Sequence, residues 1–180
     1  MKRIAVLNVV GLTKGLLVER MPRTGHFAKG VEVTSFPPAF PAVTTTAQAT
    51  YLTGRAPGDH GIVGNGWYER EDAEVRFWKQ SNHLVHGEKL WEALRREREG
   101  VRCAKMFWWY NMYSSADWSV TPRPIYPADG RKIFDVYTHP PGLRDELVGQ
   151  LGEFPFPSFW GPRAGLPSSQ WIADSARWIE

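Results

Sequence analysis

The sequence predicts an α/β fold with a mostly parallel central sheet covered by helices. Residues 4–10 form an almost uninterrupted apolar run that ends at Gly11, and such a run is typical of a strand buried on both faces inside a parallel sheet. Residues 89–99 carry apolar side chains at helical spacing, which indicates an amphipathic helix. Because strand-like and helix-like segments alternate along the chain, helices are expected on both faces of one sheet.

The remaining elements follow from local patterns. Further strands are predicted at residues 31–35, 75–79 and 101–110, and further helices at residues 44–53, 143–151 and 168–180. The segment 44–53 contains neither glycine nor proline, and Gly54 follows it at the position of a helix C-cap. Ser168 is the expected N-cap of the last helix. The stretch from 114 to 141 is rich in proline and turn residues and predicts ordered loops, so residues 114–166 form a loop-rich region with the potential to cap a site.

Composition limits the possible partners. The net charge is only +3 and no stripe of lysine and arginine occurs, which argues against a nucleic-acid polymer as partner. No stretch approaches the roughly 20 apolar residues needed to span a bilayer. Cys103 is the single cysteine, so an intramolecular disulfide is excluded and a reducing compartment is favoured. The sequence therefore predicts a soluble, cytoplasmic protein.

Aromatic residues are abundant, with nine tryptophans and nine phenylalanines. They have two possible roles, in the core or along a ligand cleft. Both roles are open to the aromatic run at residues 107–111, which could stack on a nucleobase or pack inside the protein. Alternation along a strand would place Trp108 and Tyr110 on one face and leave Phe107 and Trp109 on the other.

Thr44 stands where the predicted helix 44–53 begins. A hydroxyl at a helix N-terminus lies beside unpaired backbone N–H groups and the positive end of the helix dipole, where a phosphate is favoured. Threonine attacks phosphorus only when its pKa is lowered, for example by a coordinated zinc ion. The structural alternative is that Thr44 simply caps the helix.

A set of spaced residues around Thr44 resembles the nucleophile block of nucleotide pyrophosphatases/phosphodiesterases, a branch of the alkaline phosphatase superfamily. The matching positions are Pro41-Ala42-Val43-Thr44, Thr53-Gly54, Pro57, His60-Gly61-Ile62 and Asn65. A weaker similarity continues through residues 88–93. The resemblance implies that residues 1–180 are the N-terminal part of one alkaline phosphatase-like catalytic domain.

By this resemblance, Thr44 is the nucleophile and a ligand of one of two zinc ions. The implied reaction is in-line attack on a small phosphodiester or nucleotide, a covalent phosphothreonine, and hydrolysis of that intermediate. The family places an asparagine three residues after the nucleophile, where this chain has Ala47, and Gln48 is the candidate substitute. His60 and Asn65 are candidate substrate-binding residues, with a structural role in a turn as the alternative.

Two departures from the family pattern concern the metals. The first strand of the family ends in a metal-binding aspartate before glycine, whereas this chain has Val10-Gly11, and Asn8 is the candidate replacement ligand. The family's other ligands come from later strands, and no histidine, aspartate and glutamate cluster with ligand spacing occurs here. The expected protein is a phosphohydrolase whose 180 residues hold the nucleophile without the full metal site. The alternatives are a non-catalytic phosphate- or nucleotide-binding relative and an inactive truncated fragment.

Overall fold

The computed structural model describes residues 3–19, 30 and 32–180. The chain divides into two compact units, residues 1–38 and 39–180. In the first unit, a six-residue helix, α1 (Lys14–Glu19), begins after Thr13, whose hydroxyl accepts a hydrogen bond from the Leu16 N–H at 3.3 Å. The side-chain oxygen of Thr13 thus satisfies one of the free N–H groups of the first helical turn.

The predicted first strand is wrong. Residues 4–10 are irregular, and Ile4 and Leu7 are 81% and 83% exposed. Residues 32–35 of the second predicted strand are also irregular, and residue 31 lies outside the described residues. The physical reason is that an apolar run only favours burial, whereas a strand also needs a neighbouring strand to pair its backbone N–H and C=O groups.

The second unit begins with the helix that carries Thr44. This helix, α2, spans Thr44–Thr53 and ends at Gly54, whose left-handed φ of 65° is readily adopted by glycine. A one-turn helix, α3 (Pro57–His60), follows and ends at Gly61 in the same conformation. The prediction of a helix over residues 44–53 with a glycine C-cap is confirmed.

The strands form two small sheets. Strands β1 (Gly66–Glu69) and β2 (Glu74–Phe77) pair antiparallel, and β2 confirms most of the strand predicted at 75–79. In the second sheet, β3 (Ala104–Met106) runs parallel to β4 (Trp118–Pro122), which pairs antiparallel with β5 (Val136–His139). The described part of the chain is therefore a mixed α/β structure, and the expected large, mostly parallel sheet does not occur in it.

The segment from 114 to 141 contains strands β4 and β5 and is not the ordered loop that its composition indicates. Strand β4 is not predicted from the sequence because it contains the polar residues Ser119 and Thr121, whereas a buried strand normally has apolar side chains. Both residues are about 1% exposed. The Thr121 hydroxyl donates a hydrogen bond to the side-chain amide oxygen of Gln80 at 3.3 Å, so its burial leaves no unpaired hydroxyl.

Three longer helices agree with the predicted ones. They are α4 (Leu90–Glu97), α5 (Leu143–Leu151) and α6 (Leu166–Ile179). Ser168 is not an N-cap, because α6 begins two residues earlier and the Ser168 hydroxyl donates to the carbonyls of Ser158 and Gly165. Short 3-10 helices occur at Asn82–Leu84 and Phe156–Ser158. No helix among the described residues is long and apolar enough to cross a bilayer.

Two clusters of buried residues make up the core of the second unit. The larger one joins the three-stranded sheet to α5 and α6, and it contains Val120, Val136, Leu143, Leu147, Phe154, Phe156 and Trp171. The smaller one lies against α2 and contains Ala49, Ile62, Val85, Trp109 and Tyr110. The second cluster fixes the helix that carries Thr44, because Ala49 belongs to that helix.

Replacing Leu147 with alanine is expected to lower the free energy of unfolding by about 2–5 kcal/mol. Leu147 is fully buried in the larger cluster, so the shorter side chain loses apolar contacts and leaves a cavity. Urea unfolding followed by circular dichroism measures the change. Leu166→Ala is the matched control, because Leu166 is 75% exposed and its truncation should change the same quantity by only about 0.5 kcal/mol. Equal effects of both substitutions would contradict the assigned core.

Candidate active site

Thr44 is the first residue of α2, at the helix N-terminus where the sequence predicts it. Its side chain is partly exposed, and its hydroxyl has no hydrogen-bond partner among the described residues. Thr44 does not cap the helix through its side chain, since the N-cap residue is Val43 and no side-chain cap is present there. The hydroxyl is thus accessible and free to react, while its role as nucleophile remains a prediction.

The first turn of α2 presents unpaired donors. The Ala47 N–H closes the first helical hydrogen bond to the Val43 carbonyl at 3.0 Å. Among the described residues, the N–H groups of Thr44 and Thr46 have no hydrogen-bond acceptor. The Thr46 hydroxyl is fully buried and also lacks a partner there. Free N–H groups at a helix N-terminus, together with the helix dipole, favour an anion at this position.

Asn65, a candidate substrate-binding residue, lies beside this turn. Its side-chain oxygen accepts hydrogen bonds from the Thr45 N–H at 3.1 Å and from the Thr45 hydroxyl at 3.0 Å. Asn65 therefore caps α2 from a distance of 20 residues along the chain. Its side-chain NH₂ group has no acceptor among the described residues, so Asn65 is able to donate to a ligand as well.

Asn65→Ala is expected to lower the free energy of unfolding by about 1 kcal/mol, the usual effect of removing a helix cap. Asn65→Asp is the matched control, because a carboxylate keeps the acceptor for Thr45 and its negative charge is favourable at a helix N-terminus. The aspartate variant should keep the stability but lose the amide donor. Chemical denaturation of both variants tests this cap, and equal destabilisation by the two substitutions would refute it.

Gln48 faces the interior and not Thr44. Its side chain is only 6% exposed, and its carbonyl oxygen accepts a hydrogen bond from the Trp109 N–H at 2.8 Å. This contact joins α2 to a segment 61 residues further along the chain. The geometry therefore favours a structural role for Gln48 over replacement of the family asparagine.

His60 is fully buried at the end of α3. Its Nδ1 accepts a hydrogen bond from the Ile62 N–H at 3.1 Å, so the proton resides on Nε2, which donates to the Thr50 hydroxyl at 3.0 Å. Burial lowers the pKa of His60, which agrees with a neutral imidazole. The ring ties α3 to α2, and this geometry favours the structural role that the sequence also allowed.

Three tryptophans stack on one another next to α2. The rings of Trp109 and Trp160 are nearly parallel at 5°, with centroids 6.1 Å apart, and Trp78 lies 4.9 Å from Trp109. Trp78 and Trp160 are each 39% exposed, so part of the stack is available to a planar group. The sequence contains no signal for Trp78 and Trp160, because they lie far from Trp109 along the chain and come close to it only in the folded structure.

The expected alternation of side chains along residues 107–110 is wrong. Strand β3 ends at Met106, and Phe107 adopts a positive φ of 56°, which no strand tolerates. Phe107 instead packs in the larger core cluster, with its ring 4.8 Å from that of Phe154. Trp109 and Tyr110 are both buried against α2 in the smaller cluster.

The described residues do not fit the zinc pair that the resemblance implies. Asn8, the candidate ligand, is exposed in the irregular segment of the first unit. Within residues 3–19, 30 and 32–180, no group of three or more histidine, cysteine, aspartate or glutamate side chains is placed to hold a metal. A catalytic zinc ion normally needs three protein ligands, and Thr44 supplies one oxygen.

Cys103 and Lys105 lie on or beside β3. Burial raises the pKa of the Cys103 thiol, and a thiol of raised pKa is a weak nucleophile. Lys105 was not singled out by sequence reasoning, although it interrupts an apolar run, and this interruption was the available signal. Its ammonium group is 3% exposed, which is rare for lysine.

A comparison of the whole sequence with models of known protein families gives the same family as the residues around Thr44. The model of the type I phosphodiesterase / nucleotide pyrophosphatase family matches residues 4–178, almost the whole chain. Searches of curated proteins and of solved structures gave no significant match. The family match covers both the accessible Thr44 on α2 and the Asn65 that caps this helix. The chain belongs to the type I phosphodiesterase / nucleotide pyrophosphatase family.

Proposed function

We propose that this protein hydrolyses small phosphodiesters or nucleotide pyrophosphates through a covalent phosphothreonine at Thr44. The observation that carries the proposal is the free, partly exposed Thr44 hydroxyl at the N-terminus of α2. Membership of the family supports a hydrolase acting on small phosphorylated substrates. The helix start supplies a place where the phosphate is favoured and where a nucleophile is already within reach.

The first turn of α2 binds the phosphate in this proposal. The unpaired N–H group of the partly exposed Thr44 donates to its oxygens, and the free NH₂ group of Asn65 adds a second donor. These donors stabilise the additional negative charge that develops on the phosphate oxygens during attack. The Trp78, Trp109 and Trp160 stack offers a flat apolar surface to an aromatic part of the substrate.

The reaction has two steps. Thr44 gives its proton to solvent, its oxygen forms a bond to phosphorus, and the bond from phosphorus to the leaving-group oxygen breaks on the opposite side, while the other ester group of the substrate stays on phosphorus. Water then attacks the phosphothreonine, the bond between phosphorus and the Thr44 oxygen breaks, and the free hydroxyl returns. The helix dipole supports both steps by about 1 kcal/mol, which is small beside the total barrier reduction that an enzyme provides.

The two divalent metals, of which zinc is the expected species, need carboxylate and imidazole ligands that the described residues do not provide. No step above is therefore assigned to a metal. In this proposal, residues 1–180 are the N-terminal part of an alkaline phosphatase-like catalytic domain. The single cysteine supports its location in a reducing compartment such as the cytoplasm.

A second candidate function is binding of a phosphate or nucleotide without catalysis. Val10 and Ala47 favour it, because they replace a metal ligand and a phosphate-binding asparagine of the family pattern. The anion-binding donors of α2 would be retained in such a protein. An inactive truncated chain is the third reading. Only the first of the three functions forms a phosphothreonine.

The test is to trap the intermediate on the protein encoded by the open reading frame that contains these 180 residues. The protein is mixed with bis-p-nitrophenyl phosphate and zinc, quenched in acid, and digested for mass spectrometry. A p-nitrophenyl phosphoryl adduct on Thr44 is expected, accompanied by a burst of one p-nitrophenol per protein. Thr44→Ala should give neither signal, whereas Ser169→Ala, at an exposed position on α6, should give both. Turnover without an adduct would overturn the covalent mechanism, and binding without turnover would favour the second function.

A further inference from the structure

Lys105 is buried without an acidic partner. Its ammonium group donates to the carbonyl of Trp109 at 2.8 Å and to that of Tyr110 at 2.9 Å. Among the described residues it forms no ion pair, and its nearest aromatic partner is the Trp91 ring, 5.5 Å from its nitrogen. A polar nitrogen buried in this way is costly, so the contacts that it makes are expected to have a structural purpose.

The segment that Lys105 holds has an unfavourable backbone conformation. Phe107 and Tyr110 have positive φ angles of 56° and 58°, which cost non-glycine residues roughly 1 kcal/mol or more each. Such conformations persist only where the surroundings fix them. Lys105 bonds two successive carbonyls of this segment, and the Asn82 side chain donates to the Tyr110 carbonyl at 2.9 Å.

The same segment contacts α2 at two points. The Trp109 N–H donates to the Gln48 side chain at 2.8 Å, in the second turn of the helix. The buried Tyr110 phenol interacts with the side chain of Thr45, the residue next to Thr44. Trp109 and Tyr110 also belong to the core cluster that contains Ala49 of α2. The position of Thr44 therefore depends on the conformation of residues 107–110.

We infer that Lys105 is a positioning residue that holds residues 107–110 against α2 and thereby places the Thr44 hydroxyl for attack. This inference rests on the proposed function. Lys105 touches neither Thr44 nor the phosphate in this arrangement. Its effect passes through the Trp109 contact with Gln48 and the Tyr110 contact with Thr45.

The charge state of Lys105 agrees with this role. Burial lowers the pKa of Lys105 to about 7, the negative charge of an ionised Cys103 just before β3 raises it, and the charge of Lys89 next to α4 lowers it. A neutral amine has two N–H groups, which equals the number of carbonyl acceptors. An ammonium has a third N–H for which the described residues provide no acceptor. Because the unfolded chain binds this proton up to about pH 10.5, stability should rise with pH from about 7 to 10.5.

The test compares Lys105→Met with Leu147→Ala in the protein encoded by the full open reading frame. Methionine keeps the length and apolar stem but removes both hydrogen bonds. The expected result is a decrease in kcat of about 10- to 100-fold with little change in KM, because the nucleophile is misplaced while the phosphate donors remain. Leu147→Ala lies in the other core cluster and should lower stability without this loss of kcat below its unfolding transition.

Two further measurements make the result decisive. Hydrogen exchange of the Trp109 amide should accelerate in Lys105→Met and not in Leu147→Ala, since this N–H belongs to the segment that Lys105 fixes and donates to the Gln48 side chain. The unmodified protein should show an inflection near pH 7 in a plot of kcat against pH, and this inflection should be absent in Lys105→Met. Unchanged kcat, or an equal loss in Leu147→Ala, would overturn the inference. If the unmodified protein does not hydrolyse the substrate, the proposed function is refuted. Hydrogen exchange still tests whether Lys105 maintains the contact between Trp109 and Gln48.

Lys105→Gln provides the same test if Lys105→Met does not fold. The glutamine amide keeps two N–H donors on a shorter side chain, so partial retention of the contacts to the Trp109 and Tyr110 carbonyls is expected. Its kcat should then lie between those of the unmodified protein and of a variant without donors. A kcat equal to that of the unmodified protein, with accelerated exchange at Trp109, would separate the contact from catalysis and reject the positioning role.

Discussion

Replacing Thr44 with alanine is expected to lower kcat/KM for phosphodiester hydrolysis by a factor on the order of 1,000 or more. The substitution removes the only atom that the proposal assigns to bond formation with phosphorus, and it leaves the free N–H groups of the first turn in place. Binding of the phosphate should therefore persist, and the loss should appear mainly in kcat. Steady-state hydrolysis of bis-p-nitrophenyl phosphate by the full-length protein measures it.

Two control substitutions separate chemistry from folding. Thr44→Ser keeps the hydroxyl and should retain much of the activity, whereas Ser169→Ala removes an exposed hydroxyl from α6 and should retain all of it. Because the Thr44 side chain has no hydrogen-bond partner among the described residues, Thr44→Ala should also leave the free energy of unfolding nearly unchanged. Activity of Thr44→Ala within tenfold of the unmodified protein would rule out Thr44 as the nucleophile.

The 180-residue chain by itself is expected to bind zinc weakly and to hydrolyse phosphodiesters poorly or not at all. Catalytic zinc sites need about three protein ligands, and the described residues contain no such group of histidine, cysteine, aspartate and glutamate side chains. Without a metal pair, both activation of the Thr44 hydroxyl and neutralisation of the leaving oxygen are lost. The helix dipole, worth about 1 kcal/mol, is too small to replace them.

Equilibrium dialysis with zinc and an assay of the same chromogenic diester check this expectation. The chain, its Asn8→Ala variant and the protein encoded by the open reading frame that contains these 180 residues are compared side by side. Asn8→Ala should not change zinc retention, because Asn8 is exposed in an irregular segment. Stoichiometric zinc binding by the 180-residue chain, with turnover that Thr44→Ala abolishes, would show that a complete metal site exists within these residues.

Local sequence patterns predicted much of the helical structure of the second unit. Helix α2 lies between a proline-rich approach and Gly54, and these signals predicted its start at Thr44 and its end. Helix α5 has the predicted bounds, Leu143–Leu151. Helix signals are local because each helical hydrogen bond joins residues four apart, so a single stretch of sequence contains most of the information.

Strand predictions were less successful because a strand needs a partner elsewhere in the chain. Residues 4–10 have the expected apolar character and nevertheless remain unpaired and exposed. Strand β4 was missed because its buried Ser119 and Thr121 are satisfied by contacts such as the one between Thr121 and Gln80, 41 residues apart. Of the strand predicted at residues 101–110, only Ala104–Met106 forms, because the positive φ angles of Phe107 and Tyr110 are incompatible with a strand.

The sequence by itself determined the family, the accessible threonine at the start of α2, and the presence of Asn65 in the same motif. Only the tertiary structure decided what the neighbouring polar residues do. Asn65 caps α2, Gln48 holds Trp109, and His60 ties α3 to Thr50. The physical reason is that a side chain's function depends on which donors and acceptors it meets, and folding brings these from 10 to 61 residues away.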